Sequence, residues 1–94
     1  RSALDEFVKV CRTIDGVDLI LLHGKETPEK ATLLILGKLV DVEKVHRCVM
    51  DIKSKYNYTI LQLMLEPEQF EQMTQMGLYQ GKKVVLYRRQ NMNT

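Results

Sequence analysis

The stretch Ala31-Thr32-Leu33-Leu34-Ile35-Leu36-Gly37 decides how the rest of the chain is arranged. It is an apolar run of strand length that ends on a glycine, and it precedes the most regular helical pattern in the sequence. A run that is apolar at consecutive positions is typical of a strand buried on both faces of a sheet. We therefore expect residues 31 to 36 to form a strand that Gly37 ends.

Helices and strands alternate on both sides of this run. Asp41 is a natural N-cap, and the apolar face Val42, Val45, Cys48, Val49, Ile52 and Tyr56 predicts a long helix after it. Upstream, Ser2 starts a helix over residues 3–13, residues 17–22 form a first strand, and the charged segment 23–30 is a loop. Downstream, we expect a strand over 58–64, a helix over 67–76 that begins at Pro67, and a last strand over 84–87.

This order predicts a small α/β (α+β) domain in which three helices pack on a mixed sheet of about four strands, in the order α-β-β-α-β-α-β. The 94 residues are enough for one core, so we interpret residues 1–94 as a single domain. The sequence starts without a methionine, inside a helix signal, and we expect it to be a fragment of a longer chain.

The composition excludes several function classes. Net charge is only +2, which does not favour binding along a phosphate backbone, and no apolar run is long enough for a membrane span. Cys11 and Cys48 fall on apolar helix faces without a Cys-x-x-Cys motif or a metal-ligand histidine, so we expect two reduced thiols and no metal or cofactor. Reduced cysteines favour a cytoplasmic protein.

Three segments resemble the small nucleotidyltransferase-like domains that occur behind winged-helix DNA-binding segments. They are Leu33-Leu34-Ile35-Leu36-Gly37 with Val40-Asp41-Val42-Glu43-Lys44, Tyr56-Asn57-Tyr58-Thr59-Ile60 with Glu66-Pro67-Glu68-Gln69-Phe70, and Lys82-Lys83-Val84-Val85-Leu86-Tyr87. The resemblance implies a glycine-serine pair after the first strand, an Asp-x-Asp on the second strand and a third carboxylate on a later strand. Such acids hold two divalent metals against a triphosphate.

The chain departs from that pattern at the positions that carry chemistry. Gly24 matches the family glycine, but Lys25 stands in place of the serine, and the two metal-binding positions are Lys30 and Thr32. No acid occurs on the strand over 58–64. We therefore expect a degenerate, non-catalytic domain with a binding, regulatory or oligomerisation role, as part of a transcription regulator. Gly24, Lys25, Lys30 and Thr32 are its candidate ligand-binding residues, through backbone N–H groups and ammonium charges.

Two other functions remain open. Lys82, Lys83, Arg88 and Arg89 bracket the last strand, and basic residues beside Tyr79 and Tyr87 could bind nucleic acid. A residual nucleotidyltransferase would instead recruit Glu26 and Glu29. As partners we expect a fused or associated DNA-binding domain and a second copy that contacts the face formed by Phe70, Met73 and Met76.

Overall fold

The computed structural model of the chain describes residues 2–90. The predicted order α-β-β-α-β-α-β is confirmed, and each element begins and ends within about two residues of its predicted bounds. The elements are α1 (Ala3–Cys11), β1 (Leu19–His23), β2 (Lys30–Leu36), α2 (Val42–Tyr56), β3 (Thr59–Leu65), α3 (Pro67–Gln75) and β4 (Lys83–Arg88).

Local signals in the sequence set the helix ends. The Ser2 hydroxyl accepts a hydrogen bond from the Asp5 backbone N–H at 3.0 Å, and the Asp41 carboxylate accepts one from the Lys44 N–H at 3.3 Å. Both side chains satisfy backbone donors that a helix start leaves without partners. At its other end α2 stops at Asn57, which adopts the left-handed conformation with φ 52°.

The four strands form one mixed sheet in the order β3-β2-β1-β4. β1 pairs antiparallel with both β2 and β4, whereas β2 and β3 run parallel because α2 connects them. The strand that contains the opening stretch, β2, is therefore an inner strand, and β3 and β4 are the two edges. β4 carries a bulge opposite Ile20 and Leu21.

The helices divide the two faces of the sheet unequally. One face, called here the two-helix face, packs against α1 and α2 and contains the main core. The other, called here the α3 face, has a smaller core of four buried leucines, against which Phe70 and Met73 of α3 pack. The main core includes Phe7, Cys11, Ile20, Leu33, Ile35 and Val45, and the smaller core consists of Leu21, Leu34, Leu36 and Leu65.

The α3 face is not covered along its whole length. Leu61 and Leu63 of β3 are 46% and 37% exposed, and Thr32 beside them is half-buried. We call this region, Lys30, Thr32, Thr59, Leu61 and Leu63, the open corner. Within residues 2–90 no helix has both the length and the apolar character that crossing a bilayer requires.

Candidate functional site

The sheet brings most of the predicted site residues to one end. β1 ends where β2, β3 and β4 begin, because β1 is antiparallel to two of them and β3 runs parallel to β2. Gly24 and Lys25 after β1 therefore lie at the same end as Lys30 and Thr32 of β2. Lys82 and Lys83 lie at this end too, since Lys83 faces His23 across the sheet.

Several backbone N–H groups at this end already have hydrogen-bond partners. The Gly24 N–H donates to the Lys82 carbonyl at 2.9 Å, which ties the loop after β1 to the start of β4. The Thr27 hydroxyl oxygen accepts from the N–H groups of Glu29 and Lys30 at 3.2 and 3.0 Å. An anion at this end would therefore meet the exposed ammonium groups of Lys25 and Lys30 instead of the N–H of Gly24.

The register between β2 and β3 defines the chemistry of the open corner. Lys30 lies beside Thr59, and Thr32 lies beside Leu61. Alternate residues of a strand point to the same face, so Lys30 and Thr32 share the α3 face with their β3 neighbours. Their groups are an ammonium, two hydroxyls and an isobutyl chain. Within residues 2–90 no three histidines, cysteines or acids are grouped to hold a metal.

The two loop glutamates take different positions. The Glu29 carbonyl accepts the Thr59 N–H at 2.9 Å, which attaches the loop to the start of β3. Glu26 lies near Tyr58, whose phenol pKa is raised by burial and, secondarily, by the charge of Glu26. Tyr58 is 7% exposed, and its hydroxyl has no hydrogen-bond partner among the described residues. The sequence pattern marks Tyr58 only as a strand residue.

A second cluster at this end involves the segment between α3 and β4. His23 Nε2 lies 2.9 Å from the Gln80 carbonyl oxygen, and the His23 ring stands edge-on to Tyr79 with centroids 6.2 Å apart. The Lys83 ammonium donates to the carbonyls of Tyr79 and Gly81. His23 and Lys83 thus hold this segment against the sheet, a role that neither residue type nor spacing signals in the sequence.

The basic residues around β4 do not form one patch. Arg88 lies five residues beyond Lys83, which corresponds to about 17 Å along a strand. Arg89 pairs with Asp18, with 3.0 Å between Nη1 and Oδ1, and its N–H donates to the Asp18 carbonyl. Lys82 is therefore at one end of the sheet and Arg88 at the other.

The opposite end of the sheet, where β1 begins and β2 and β4 end, contains an open groove. Its volume is about 600 Å³, within the range of small-molecule sites, but it is wide open to solvent. Apolar side chains of β1 and β2 form its floor and the Asp18–Arg89 ion pair lies along it. The lining residues are Asp18, Leu19, Leu36, Pro67, Arg88, Arg89 and Gln90.

The face of α3 that carries Phe70, Met73 and Met76 is partly buried against the sheet. Phe70 and Met73 contact the smaller core, and Met76, at 75% exposure, extends into solvent. Met76 is therefore the most exposed apolar residue of this face, and Phe70 and Met73 keep part of their surface in solvent.

No protein-family model, curated protein or solved structure gives a significant match to the chain.

Proposed function

We propose that the chain is a non-catalytic binding or regulatory domain with a nucleotidyltransferase-like arrangement, which acts through the uncovered part of its sheet. The support comes from topology. β2 lies between an antiparallel β1 and a parallel β3, and Lys30 and Thr32 lie at the start of β2 on the α3 face. The resemblance assigns the paired metal-binding acids to these same two positions.

The observation that carries the proposal is the set of side chains in the open corner. A two-metal centre needs several hard oxygen ligands from adjacent strands. Here the strand positions present Lys30, Thr32, Thr59 and Leu61. An ammonium group repels a divalent cation, and an isobutyl group cannot ligate one. The same surface is suited to a partner with apolar and polar groups, and an associated DNA-binding domain would give such binding a regulatory output.

The residual-transferase alternative relies on Glu26 and Glu29. Both precede β2 in the loop, and the Glu29 backbone is bonded to Thr59. Two acids that hold a metal pair on a strand occupy alternate positions, whereas these two are three residues apart in a turn. The geometry therefore favours the binding role over this alternative.

The test is calorimetry with Mg²⁺ and Mn²⁺ complexes of ATP and GTP, together with incorporation of labelled nucleotide into protein or RNA acceptors. We expect no metal-dependent heat and no incorporation from the natural sequence. Metal-dependent nucleotide binding that disappears with EDTA would overturn the proposal.

A gain-of-function pair tests the topological part. Lys30→Asp/Thr32→Asp restores alternate acids on β2 and should bind Mn²⁺. Lys25→Asp/Gln80→Asp changes the net charge equally but places its acids in loops, so it should bind Mn²⁺ no more tightly than the natural sequence. Equal Mn²⁺ affinity of the two variants would contradict the assignment of Lys30 and Thr32 to the metal positions.

A further inference from the structure

We propose that the chain forms a symmetric homodimer in which β3 pairs antiparallel with β3 of a second copy, joining two four-stranded sheets into one. The inference names a partner for the binding domain proposed above, and it relies on that proposal only in treating the open corner as a binding surface. Three observations support the dimer: the hydrogen-bond pattern of β3, the contrast between the two sheet edges, and the environment of Gln62.

The hydrogen bonds to β2 show which backbone groups of β3 point outward. The Thr59 N–H donates to the Glu29 carbonyl, and the Leu65 carbonyl accepts from the Gly37 N–H. In a parallel pair the residues bonded to the neighbour alternate along the strand, so the odd-numbered residues of β3 face β2. The N–H and C=O groups of Ile60, Gln62 and Met64 therefore point to the free edge.

The two edges of the sheet differ in how they are protected. Edge strands normally avoid pairing with other chains by means of charges, prolines or bulges. β4 begins with Lys83, ends with Arg88 and contains a bulge. β3 reads Thr-Ile-Leu-Gln-Leu-Met-Leu, with no charge, proline or glycine, and its register with β2 is regular over all seven residues. Only the β4 edge carries devices that prevent strand addition.

The sequence of β3 fits a second copy of itself. If the two-fold axis passes beside Gln62, each Gln62 exchanges two backbone hydrogen bonds with its counterpart, and Ile60 does the same with Met64. This register uses all three outward residues. It also places Leu61 opposite Leu63 of the other copy in a non-hydrogen-bonded pair, where side chains approach most closely. These two leucines are the exposed ones of the open corner.

Gln62 supplies an independent indication. Its side-chain Oε1 is buried on the two-helix face and has no hydrogen-bond partner within residues 2–90. A buried acceptor without a donor costs free energy. At the two-fold axis, rotation of the side chain toward the edge would let the two Gln62 amides donate to each other.

The surroundings of the edge are also complementary. Lys53 of α2 donates to the Thr59 hydroxyl at 3.2 Å, so this side of α2 borders the free edge. Met50, one turn earlier on the same side, is 64% exposed at the middle of the helix. Antiparallel pairing brings Lys53 of one copy toward Glu66 of the other, because Glu66 follows Leu65 and Leu65 would face Thr59.

The decisive experiment is sedimentation equilibrium on the natural sequence and two double variants at the exposed leucine positions. Leu61→Lys/Leu63→Lys places like charges opposite each other across the axis, whereas Leu61→Lys/Leu63→Glu places opposite charges there. Both variants lose the same apolar surface. We expect the natural sequence to dimerise and the Lys/Glu variant to dimerise at least about tenfold more tightly than the Lys/Lys variant. Circular dichroism melts check that all three proteins fold.

Three results would overturn the inference. They are a natural sequence that stays monomeric at several hundred micromolar, a Lys/Lys variant that dimerises as well as the natural sequence, and equal dissociation constants for the two variants. The second result would place the dimer interface elsewhere, for example at Met76. A natural sequence that stays monomeric would indicate that a strand from another protein pairs with the free edge of β3. If the protein is monomeric and binds no metal–nucleotide complex, the proposed dimer is ruled out but the proposed function is not.

Discussion

Gly37 packs directly against the backbone of Gly16. A β-carbon built on Gly37 would overlap the Gly16 carbonyl oxygen and lie 2.9 Å from its carbonyl carbon. The Gly37 N–H also donates to the Leu65 carbonyl at 3.1 Å. The glycine that ends β2 therefore joins the turn before β1 to the end of β3. Its role is close approach between backbones, in addition to ending a strand.

Gly37→Ala should be strongly destabilising because the backbone of Gly16 cannot move aside as a flexible side chain could. We expect a loss of at least about 3 kcal/mol in the free energy of unfolding, measured by urea denaturation. Gly24→Ala is the control, since its β-carbon meets no atom within 4 Å and only the positive φ of 80° is strained. That variant should lose about 1–2 kcal/mol. Equal losses would contradict the close-approach role.

Tyr56, Glu6 and Lys55 connect the end of α2 to α1. The Tyr56 hydroxyl and the Lys55 ammonium both donate to the Glu6 carboxylate. The hydrogen bond to Glu6 is the largest cause that raises the pKa of Tyr56, whereas the charge of Lys55 lowers it. Glu6→Gln should therefore lower the pKa of Tyr56, and Lys55→Met should raise it further. Titration of Cζ-labelled tyrosine by NMR measures both, and shifts of the same sign would be inconsistent with this arrangement.

His23 should control the segment between α3 and β4. Its Nε2 lies 2.9 Å from the Gln80 carbonyl, and this contact links the strand end to residues 77–82. His23→Ala should speed amide hydrogen exchange in 77–82 because one of the anchors of the segment is lost. His46→Ala is the matched control, since His46 is exposed on α2. If His23→Ala leaves amide hydrogen exchange in residues 77–82 unchanged, His23 does not anchor this segment.

Sequence patterns predicted the positions of the helices and strands well, but they predicted poorly how these elements contact one another. Ser2, Asp41 and Pro67 mark helix starts because capping is local chemistry, which a short window contains. The exposed positions of β3 could not be read in this way. Leu61 and Leu63 belong to an apolar strand, and their 46% and 37% exposure depends on β3 being an edge that α3 only partly covers.

The candidate site was predictable to the same extent. Strand alternation puts Lys30 and Thr32 on one face because β2 begins at Lys30, one residue earlier than predicted, and the register, which the sequence did not predict, places them beside Thr59 and Leu61. The use of the Gly24 N–H by the Lys82 carbonyl depends instead on β4 pairing with β1. That pairing joins residues some sixty positions apart, and apolar periodicity carries no information about partners at such separation.

Cys11 should make the stability of the domain fall at alkaline pH. Burial, with a smaller contribution from Cys48, raises the pKa of the Cys11 thiol from 9.0 to about 12. Between these values the unfolded chain releases a proton that the folded chain retains, so the free energy of unfolding decreases as pH rises. The expected slope from this thiol is up to about 1.4 kcal/mol per pH unit. The free-energy difference between the natural sequence and Cys11→Ala should therefore shrink between pH 8 and 10.5.

Alkylation provides a second measurement on the same thiol. Cys11 is fully buried and Cys48 is half-buried. Iodoacetamide at pH 8 should modify Cys48 first and Cys11 only at the rate of unfolding, as followed by peptide mass spectrometry. Early modification of Cys11 would contradict its burial.

The positions of the basic residues provide a test of the nucleic-acid-binding alternative. A shared phosphate-binding surface requires Lys82 and Arg88 to act together, but they lie at opposite ends of the sheet and Arg89 is paired with Asp18. We expect fluorescence anisotropy to show only weak, salt-sensitive binding of a single-stranded oligonucleotide. Lys82→Ala and Arg88→Ala should act independently of each other, each weakening the low-salt affinity by no more than the loss of one phosphate contact and lowering the salt slope by at most about 1. Asp18→Asn should raise it slightly by releasing Arg89. Micromolar affinity at 150 mM salt that is lost in Lys82→Ala/Arg88→Ala would favour nucleic-acid binding over the proposed function.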